Sequence, residues 1–150
     1  LFSTTNGRLF IDGLNLRILT MLHIVRIPVE LVLYGLYVYK AVPELMTFEG
    51  RNYDIVSGLT APIIYYLGFV KKQFNTRLLL IWNFICLGLL FNIVVHAVLS
   101  APFPFQQLAF DQPNIAVLHA PFNGLPSCVV PLVLLSHLAA IKQLLRSKAT

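Results

Sequence analysis

Four long stretches of apolar residues alternate with short polar segments along the chain. They cover residues 16–39, 55–70, 76–99 and 115–141. A helix of about 20 apolar residues crosses the roughly 30 Å hydrocarbon core of a bilayer. Because every backbone polar group must be satisfied inside the membrane, such stretches span it as helices. The pattern therefore predicts an all-α polytopic membrane protein, with four transmembrane helices in one bundle forming a single domain.

Ionisable residues interrupt the first apolar stretch. His23, Arg26 and Glu30 follow one another at steps of three and four residues, and Tyr34 and Tyr37 continue the same helical face. A charged side chain near the middle of a membrane costs about 2.5–3.5 kcal/mol on insertion scales, so it usually faces protein and has a partner. We therefore expect this face to point into the bundle.

Two interpretations of Arg26 and Glu30 follow from this position. As an i,i+4 pair they neutralise each other, although Arg before Glu is the less favourable order in a helix. Alternatively they anchor a wider polar site together with His23, Asn92 and His96. We favour the second interpretation as a hypothesis.

Further polar residues extend this site when positions are counted along each predicted span. The predicted ligand-binding residues are His23, Arg26, Glu30, Asn92, His96, His119, Asn123 and Asp111. Most of them fall in the half of the membrane next to the first loop, which predicts a polar pocket open to that side. The alternative is that the Asn and His side chains hydrogen-bond between helices, at about 0.6–2 kcal/mol each.

Smaller features predict helix ends and surface segments. Residues 1–15 are expected to lie at the membrane interface, with Asn15 or Asp12 capping the following helix. Pro28 removes one backbone hydrogen bond and leaves the carbonyl of Ile24 unpaired. Asp54 is placed to cap the second span, which we prefer to a ligand role.

Composition and charge support the membrane class. The chain has 57% hydrophobic and 11% charged residues, whereas a soluble domain carries about 25% charged residues. Its net charge of +5 does not form a nucleic-acid patch, because the basic residues lie at the ends of apolar segments.

The distribution of basic residues also predicts orientation. One side of the predicted bundle collects Arg8, Arg17, Lys71, Lys72, Arg77, Lys142, Arg146 and Lys148. The other side has only Lys40 and Arg51. The positive-inside rule therefore predicts cytoplasmic termini and external loops in a bacterial inner membrane.

No catalytic motif or metal-ligand spacing is recognisable, so the sequence leaves open whether the protein is an enzyme. Cys86 and Cys128 fall within apolar segments, which favours buried free thiols. The sequence begins at Leu1 and its first methionine is Met21, so either residues precede Leu1 in the full protein or the chain has been processed.

Four histidines raise b-type haem as a cofactor. His23 facing His137, and His96 facing His119, would give two axial pairs. Against this, His119 and His137 are separated by about 27 Å along a helix, which leaves both close to the membrane interfaces.

Three runs, LHIVRIPVE, LMTFEGRNYDIVSGLTAP and SAPFPFQQLAFDQPN, carry a resemblance that covers most of the chain from Leu22 to Leu145. They resemble segments of a family of small bacterial inner-membrane proteins with no assigned activity. The resemblance implies a multi-pass membrane protein and no particular chemistry.

The leading functional hypothesis is a membrane protein whose outward-opening pocket binds, senses or modifies a small molecule or lipid head group. One alternative is an accessory subunit, with other membrane subunits or further copies of the chain as partners. A second alternative is a haem-b electron carrier. No nucleic-acid partner is expected.

Overall fold

The computed structural model describes residues 4–147, so Lys148 and the first three residues of the predicted interfacial segment lie outside the described residues. The α-helices are α1 (Thr5–Asp12), α2 (Leu16–Leu22), α3 (Arg26–Val38), α4 (Ile55–Tyr65), α5 (Thr76–Leu99) and α6 (Val130–Ser147). Short 3₁₀ segments are His23–Val25, Glu44–Met46 and Ala116–Leu118, and π-helical segments are Tyr66–Val70 and Leu125–Val129. Residues 4–147 contain no strand, which confirms the all-α class.

The first predicted span is helical over almost its full length. Helix α2, the 3₁₀ segment His23–Val25 and α3 follow one another without an intervening loop. The change of helix type has a local cause, because Pro28 cannot donate a hydrogen bond to the carbonyl of Ile24, which lies within the 3₁₀ segment. Two polar residues of the sequence pattern, His23 and Arg26, therefore lie where the helix type changes.

Among residues 4–147, two continuous helices are long and apolar enough to cross a membrane by length and composition. They are Thr76–Leu99, and Leu125–Ser147, which joins the second π-helical segment to α6. A shorter apolar helix covers Ile55–Val70.

The predicted fourth span, residues 115–141, is wrong at both ends. Residues 119–123 form a turn rather than a helix, and the continuous helix covers Leu125–Ser147. Pro121 explains the late start, since the residue before a proline is biased away from helical conformation. The polar residues after Ile141 were left out of the predicted span because they are not apolar. They continue the helix because this end of α6 packs against α1.

Contacts between α1 and the end of α6 hold the two ends of the described chain together. Asp12 pairs with Lys142 at 3.3 Å and with Arg146 at 2.5 Å, so it does not cap α2. The side chain of Gln143 donates to the backbone carbonyls of Ile11 and Leu14, at 2.7 and 2.9 Å. The predicted cap at Asn15 is confirmed, because its side chain accepts from the backbone of Arg17 at 2.9 Å.

A glycine permits the close approach that positions the functional site. A Cβ atom on Gly58 of α4 would lie 2.9 Å from Cγ1 of Ile27 and 3.3 Å from the carbonyl oxygen of His23. Helix α4 therefore packs directly on the 3₁₀ segment and the start of α3. Asp54 lies one turn before Gly58, and this contact brings it to Arg26.

Candidate functional site

Seven buried polar residues form what we call the polar cluster: His23, Arg26, Glu30, Asn52, Asp54, Asn83 and His137. Its centre is Arg26, which is 2% exposed. The Nη1 atom of Arg26 forms an ion pair with Oδ1 of Asp54 and also donates to the carbonyl of Cys86 at 3.3 Å. The predicted capping role of Asp54 is wrong, since its side chain makes no capping bond. Arg26 pairs with Asp54 rather than with Glu30.

Hydrogen-bond directions fix the tautomer of His137. The Nη2 atom of Arg26 lies 2.8 Å from Nε2 of His137. A guanidinium group only donates, so Nε2 must accept and carries no proton. The other nitrogen, Nδ1, then bears the proton and donates to Oδ1 of Asn83 at 3.0 Å. His137 is therefore neutral in this arrangement, and it links α6 to α3 and α5.

The first loop supplies Asn52, which holds Glu30 in place. The side-chain amide of Asn52 donates to Oε1 of Glu30 at 2.5 Å and to the carbonyl of Met46 at 3.0 Å. Its oxygen accepts from the backbone of Asp54 at 3.0 Å. One fully buried side chain thus joins the loop to the carboxyl group of Glu30 and to the backbone of Asp54.

Gly50 makes the tight fold of this loop possible. A Cβ atom at Gly50 would lie within 2.7 Å of the backbone of both Glu44 and Leu45, so no other residue fits without movement. The outer face of the loop also packs on α3, where the rings of Tyr34 and Phe48 stack with centroids 5.0 Å apart. The loop therefore covers the polar cluster from one end.

His23 contacts the cluster by packing alone. Its ring is fully buried, stacks on His137 and meets Trp82 edge-on with centroids 5.6 Å apart. Neither ring nitrogen has a hydrogen-bond partner among residues 4–147. His23 therefore contributes shape, and its polar atoms are unsatisfied.

An apolar cavity of about 170 Å³ lies beside the polar cluster. Side chains of α3, α5 and α6 form its walls, and Arg26, Glu30 and Asp54 are its ionisable lining residues. The expected pocket was polar, whereas this cavity is mainly lined by Val, Leu, Ile and Ala. It is therefore suited to an apolar group with a polar end.

The cavity reaches the outer surface of the bundle. Val98 of α5 and Pro126 of the second π-helical segment both line the cavity and are exposed, Val98 by 47%. Access therefore runs sideways between α5 and the helix Leu125–Ser147, rather than only through the loops.

The other predicted ligand-binding residues lie apart from this site. Asn92 donates to the backbone of Arg51, and His96 bonds to the carbonyl of Asn92 within α5, both at 2.8 Å. Asp111, His119 and Asn123 are exposed. None of the five lines the cavity. The structure brings together only His23, Arg26 and Glu30 from the predicted set.

Four cluster residues are absent from the predicted ligand-binding set, although His137 was considered as a haem ligand facing His23: Asn52, Asp54, Asn83 and His137. A usable signal existed for His137 and Asn83, which are polar residues inside apolar stretches. For Asn52 and Asp54 the sequence resembled an ordinary polar loop.

The haem alternative with His23 and His137 as its axial ligands does not fit the observed rings. The rings of His23 and His137 lie face to face, whereas axial ligands approach one iron from opposite sides. Both nitrogens of His137 are already engaged with Arg26 and Asn83.

Of the two thiols, Cys86 is buried and free as expected, but Cys128 is exposed.

Fold and site together define an all-helical protein with an ionisable cluster buried beside an apolar cavity. Residues 12–145 match the model of a family described as a domain of unknown function, DUF8737, and the chain belongs to that family. Comparison with curated proteins and with solved structures gives no match.

Proposed function

We propose that the protein is an integral membrane protein that binds a small amphiphile, or the head group of a lipid, in the cavity beside Arg26. The single observation that carries this proposal is the cavity itself, which combines apolar walls with three ionisable side chains at one place. Ligand sites commonly pair an apolar lining with a few convergent polar groups.

The distribution of residues on α5 supports a lipid environment. Asn83 and Cys86 face inward and are 2% exposed, while Phe84 and Ile85 are more than half exposed. Large exposed apolar patches on a protein surface mark contact with other proteins or with a membrane. A helix with its polar residues inside and its aromatic residues outside is expected in a bilayer.

In the proposed arrangement four helical segments cross the membrane: 16–38, 55–70, 76–99 and 125–147. The segment 55–70 measures roughly 24 Å, which requires local thinning of the bilayer or a position closer to one interface. The positive-inside rule places both ends in the cytoplasm of a bacterial cell. The cavity then occupies the outer half of the bundle.

Cysteine labelling tests this topology. In a background carrying Cys86→Ala and Cys128→Ser, single cysteines at Glu49 and Gln107 are expected to react with an impermeant maleimide added to intact cells. A cysteine at Gln73 is expected to react only after the cells are permeabilised. Labelling of Gln73 from outside would reverse the orientation and move the cavity to the cytoplasmic half.

Two neighbouring valines of α5 offer a matched test of binding. Val94 lines the cavity, whereas Val95 is exposed on the outer face. Native mass spectrometry of the detergent-purified protein should show a retained small molecule or lipid, which Val94→Phe removes and Val95→Phe leaves in place. Absence of any retained species from the parent, or equal retention in both variants, contradicts the proposal.

The same spectra address the alternative of an accessory subunit. Phe103, Phe105 and Phe110 in the second external loop are exposed, which favours a contact with another protein. A complex with a second chain and no retained ligand would support that function instead.

A further inference from the structure

We propose that the cavity takes one acyl chain of a lipid from the outer leaflet. The chain enters sideways between α5 and the helix Leu125–Ser147, while the head group stays at the membrane interface. This inference deepens the proposed function and rests on it, because it names the part of an amphiphile that occupies the cavity. It follows from the surface of the cavity, from its direction and from the position of its opening.

The surface that a molecule meets inside the cavity is apolar. Its walls are mainly aliphatic side chains, among them seven valines. The ionisable lining residues Arg26, Glu30 and Asp54 are each at most 5% exposed, so they present almost no polar surface to the cavity. A polar head group inside would lose its contact with water without gaining partners, which is unfavourable. An alkyl chain has no hydrogen bonds to lose.

The cavity extends along two neighbouring helices. On α5 its lining residues run from Leu90 to Val98, and on the adjacent helix they run from Leu125 to Val133. Each stretch measures about 12 Å along a helix axis. Leu90 and Val133 are buried, so the cavity is closed at one end. With a volume of about 170 Å³, a space of this length is narrow and suits an extended chain better than a compact group.

The opening leads to a surface that faces lipid in the proposed arrangement. Val98 and Pro126 are exposed there. Val98 continues a strip of exposed apolar side chains on α5 that also contains Phe91 and Val95. Each of the two opening residues is next to the outer end of its helix, so the opening lies near the level at which acyl chains meet their head groups. A lipid of the outer leaflet can therefore direct one chain sideways into the cavity while its head group stays in place.

The two external loops obstruct access from the water. Met46 of the first loop and Val117, which follows the second loop, both line the cavity. The backbone amides of Ile115 and Ala116 donate to the carbonyl of Ala41, at 3.1 and 3.0 Å, and so join the two loops. A molecule entering from the water must separate the loops, whereas the side opening is already present. We therefore expect the occupant to come from the bilayer.

Photolabelling in nanodiscs tests the proposal. Two phosphatidylcholine probes carry a diazirine in one acyl chain, either next to the chain end or next to the ester, and labelled residues are identified by peptide mapping. Leu90 reports the buried end of the cavity. Its neighbour Phe91 is more than half exposed and reports ordinary contact with lipid. Because the two residues lie at nearly the same depth, the ratio of their labelling separates entry into the cavity from depth in the bilayer.

We expect the ratio of Leu90 to Phe91 labelling to be about tenfold higher for the chain-end probe than for the ester-proximal probe, because an ester group buried in the cavity lacks hydrogen-bond partners. A third probe, octan-1-ol with a diazirine next to its chain end, represents a small free amphiphile. It shows whether an alkyl chain enters only when it is not attached to a lipid.

Two variants assign the labelling to the cavity. Val94→Phe places a ring in the cavity and should remove the labelling of Leu90, while that of Phe91 persists. Val95→Phe, on the exposed face, should leave both unchanged. Circular dichroism and Trp82 fluorescence verify that the variants are folded. If Val94→Phe does not fold, the comparison of the two lipid probes in the parent protein remains a test.

The outcomes separate the two proposals. An equal or higher ratio for the ester-proximal probe, with labelling that Val94→Phe removes, overturns the acyl-chain assignment and retains the binding cavity. Labelling of Leu90 by the octan-1-ol probe but by neither lipid probe overturns the assignment to a lipid and retains a cavity for a small amphiphile. Labelling of Leu90 that folded Val94→Phe protein does not lose, or no labelling of Leu90 by any of the three probes, overturns both.

Discussion

The imidazole rings of His23 and His137 stack face to face, with centroids 3.9 Å apart and planes inclined by 15°. The two rings nevertheless differ in what they contribute. His137 bonds through both nitrogens to Arg26 and Asn83, whereas neither nitrogen of His23 has a partner in residues 4–147. We therefore expect replacement by leucine to change the free energy of unfolding differently at the two positions.

We expect His23→Leu to change the free energy of unfolding by less than about 1.5 kcal/mol, because an apolar side chain of similar volume replaces unsatisfied polar atoms. His137→Leu should cost about 2–4 kcal/mol, since it leaves Arg26 and Asn83 without their partner. Unfolding in mixed micelles, followed by Trp82 fluorescence, measures both values. Equal losses would show that His23 has a polar role that its contacts do not reveal.

Replacing Arg26 tests its pairing with Asp54. Arg26→Met alone should destabilise by about 3–5 kcal/mol, because it leaves a buried, uncompensated carboxylate. Adding Asp54→Leu should recover most of this loss, since an apolar pair often replaces a buried ion pair without cost. Adding Glu30→Leu instead should recover less. If the Glu30 double variant is the more stable one, the intrahelical pair is the important interaction, and the assignment to Asp54 is wrong.

The helix contact at Gly58 has a matched control in Gly88, around which a Cβ atom meets nothing within 4 Å. Gly58→Ala should cost about 1–3 kcal/mol, because α4 must move away from Ile27. Gly88→Ala should be neutral, or stabilising by up to about 1 kcal/mol, since alanine has the higher helix propensity. The same unfolding assay applies, and a neutral Gly58→Ala would indicate that α4 adjusts freely.

Asn52 is expected to behave as a structural centre of the first loop. Asn52→Leu removes partners from Glu30, Met46 and Asp54, which should lower the free energy of unfolding by about 2–4 kcal/mol. Asn123→Leu, at an exposed position, should change it by less than about 0.5 kcal/mol. Comparable losses at both positions would remove the special role assigned to Asn52.

Local periodicity was sufficient to predict part of this site. The spacing of His23, Arg26 and Glu30 placed them on one helical face, and all three are buried. The sequence also predicted the all-α class and the approximate position of most helices. These features depend on neighbours within a few turns, where spacing determines which side chains lie together.

Contacts between residues far apart in the sequence could not be predicted from local spacing. The ion pair between Arg26 and Asp54 depends on how closely α4 approaches α3. The glycine at position 58 permits this close approach, but its role becomes apparent only when the neighbouring residues of α3 are known. Asn92 and His96 were expected in the pocket because their depth matched. Depth along a helix does not determine rotation about its axis, however, and these side chains bond to nearby backbone groups instead.

The order in which cluster residues occur along the chain has a consequence for biogenesis. Asp54 follows Arg26 by 28 positions, whereas His137 follows it by 111. In the proposed membrane arrangement, a nascent chain therefore carries the counter-ion of its buried arginine within its first helical hairpin. Arg26 and Asp54 can then enter the lipid as an ion pair while the ribosome is still translating α5. His137 then completes an assembly whose largest electrostatic cost has already been compensated.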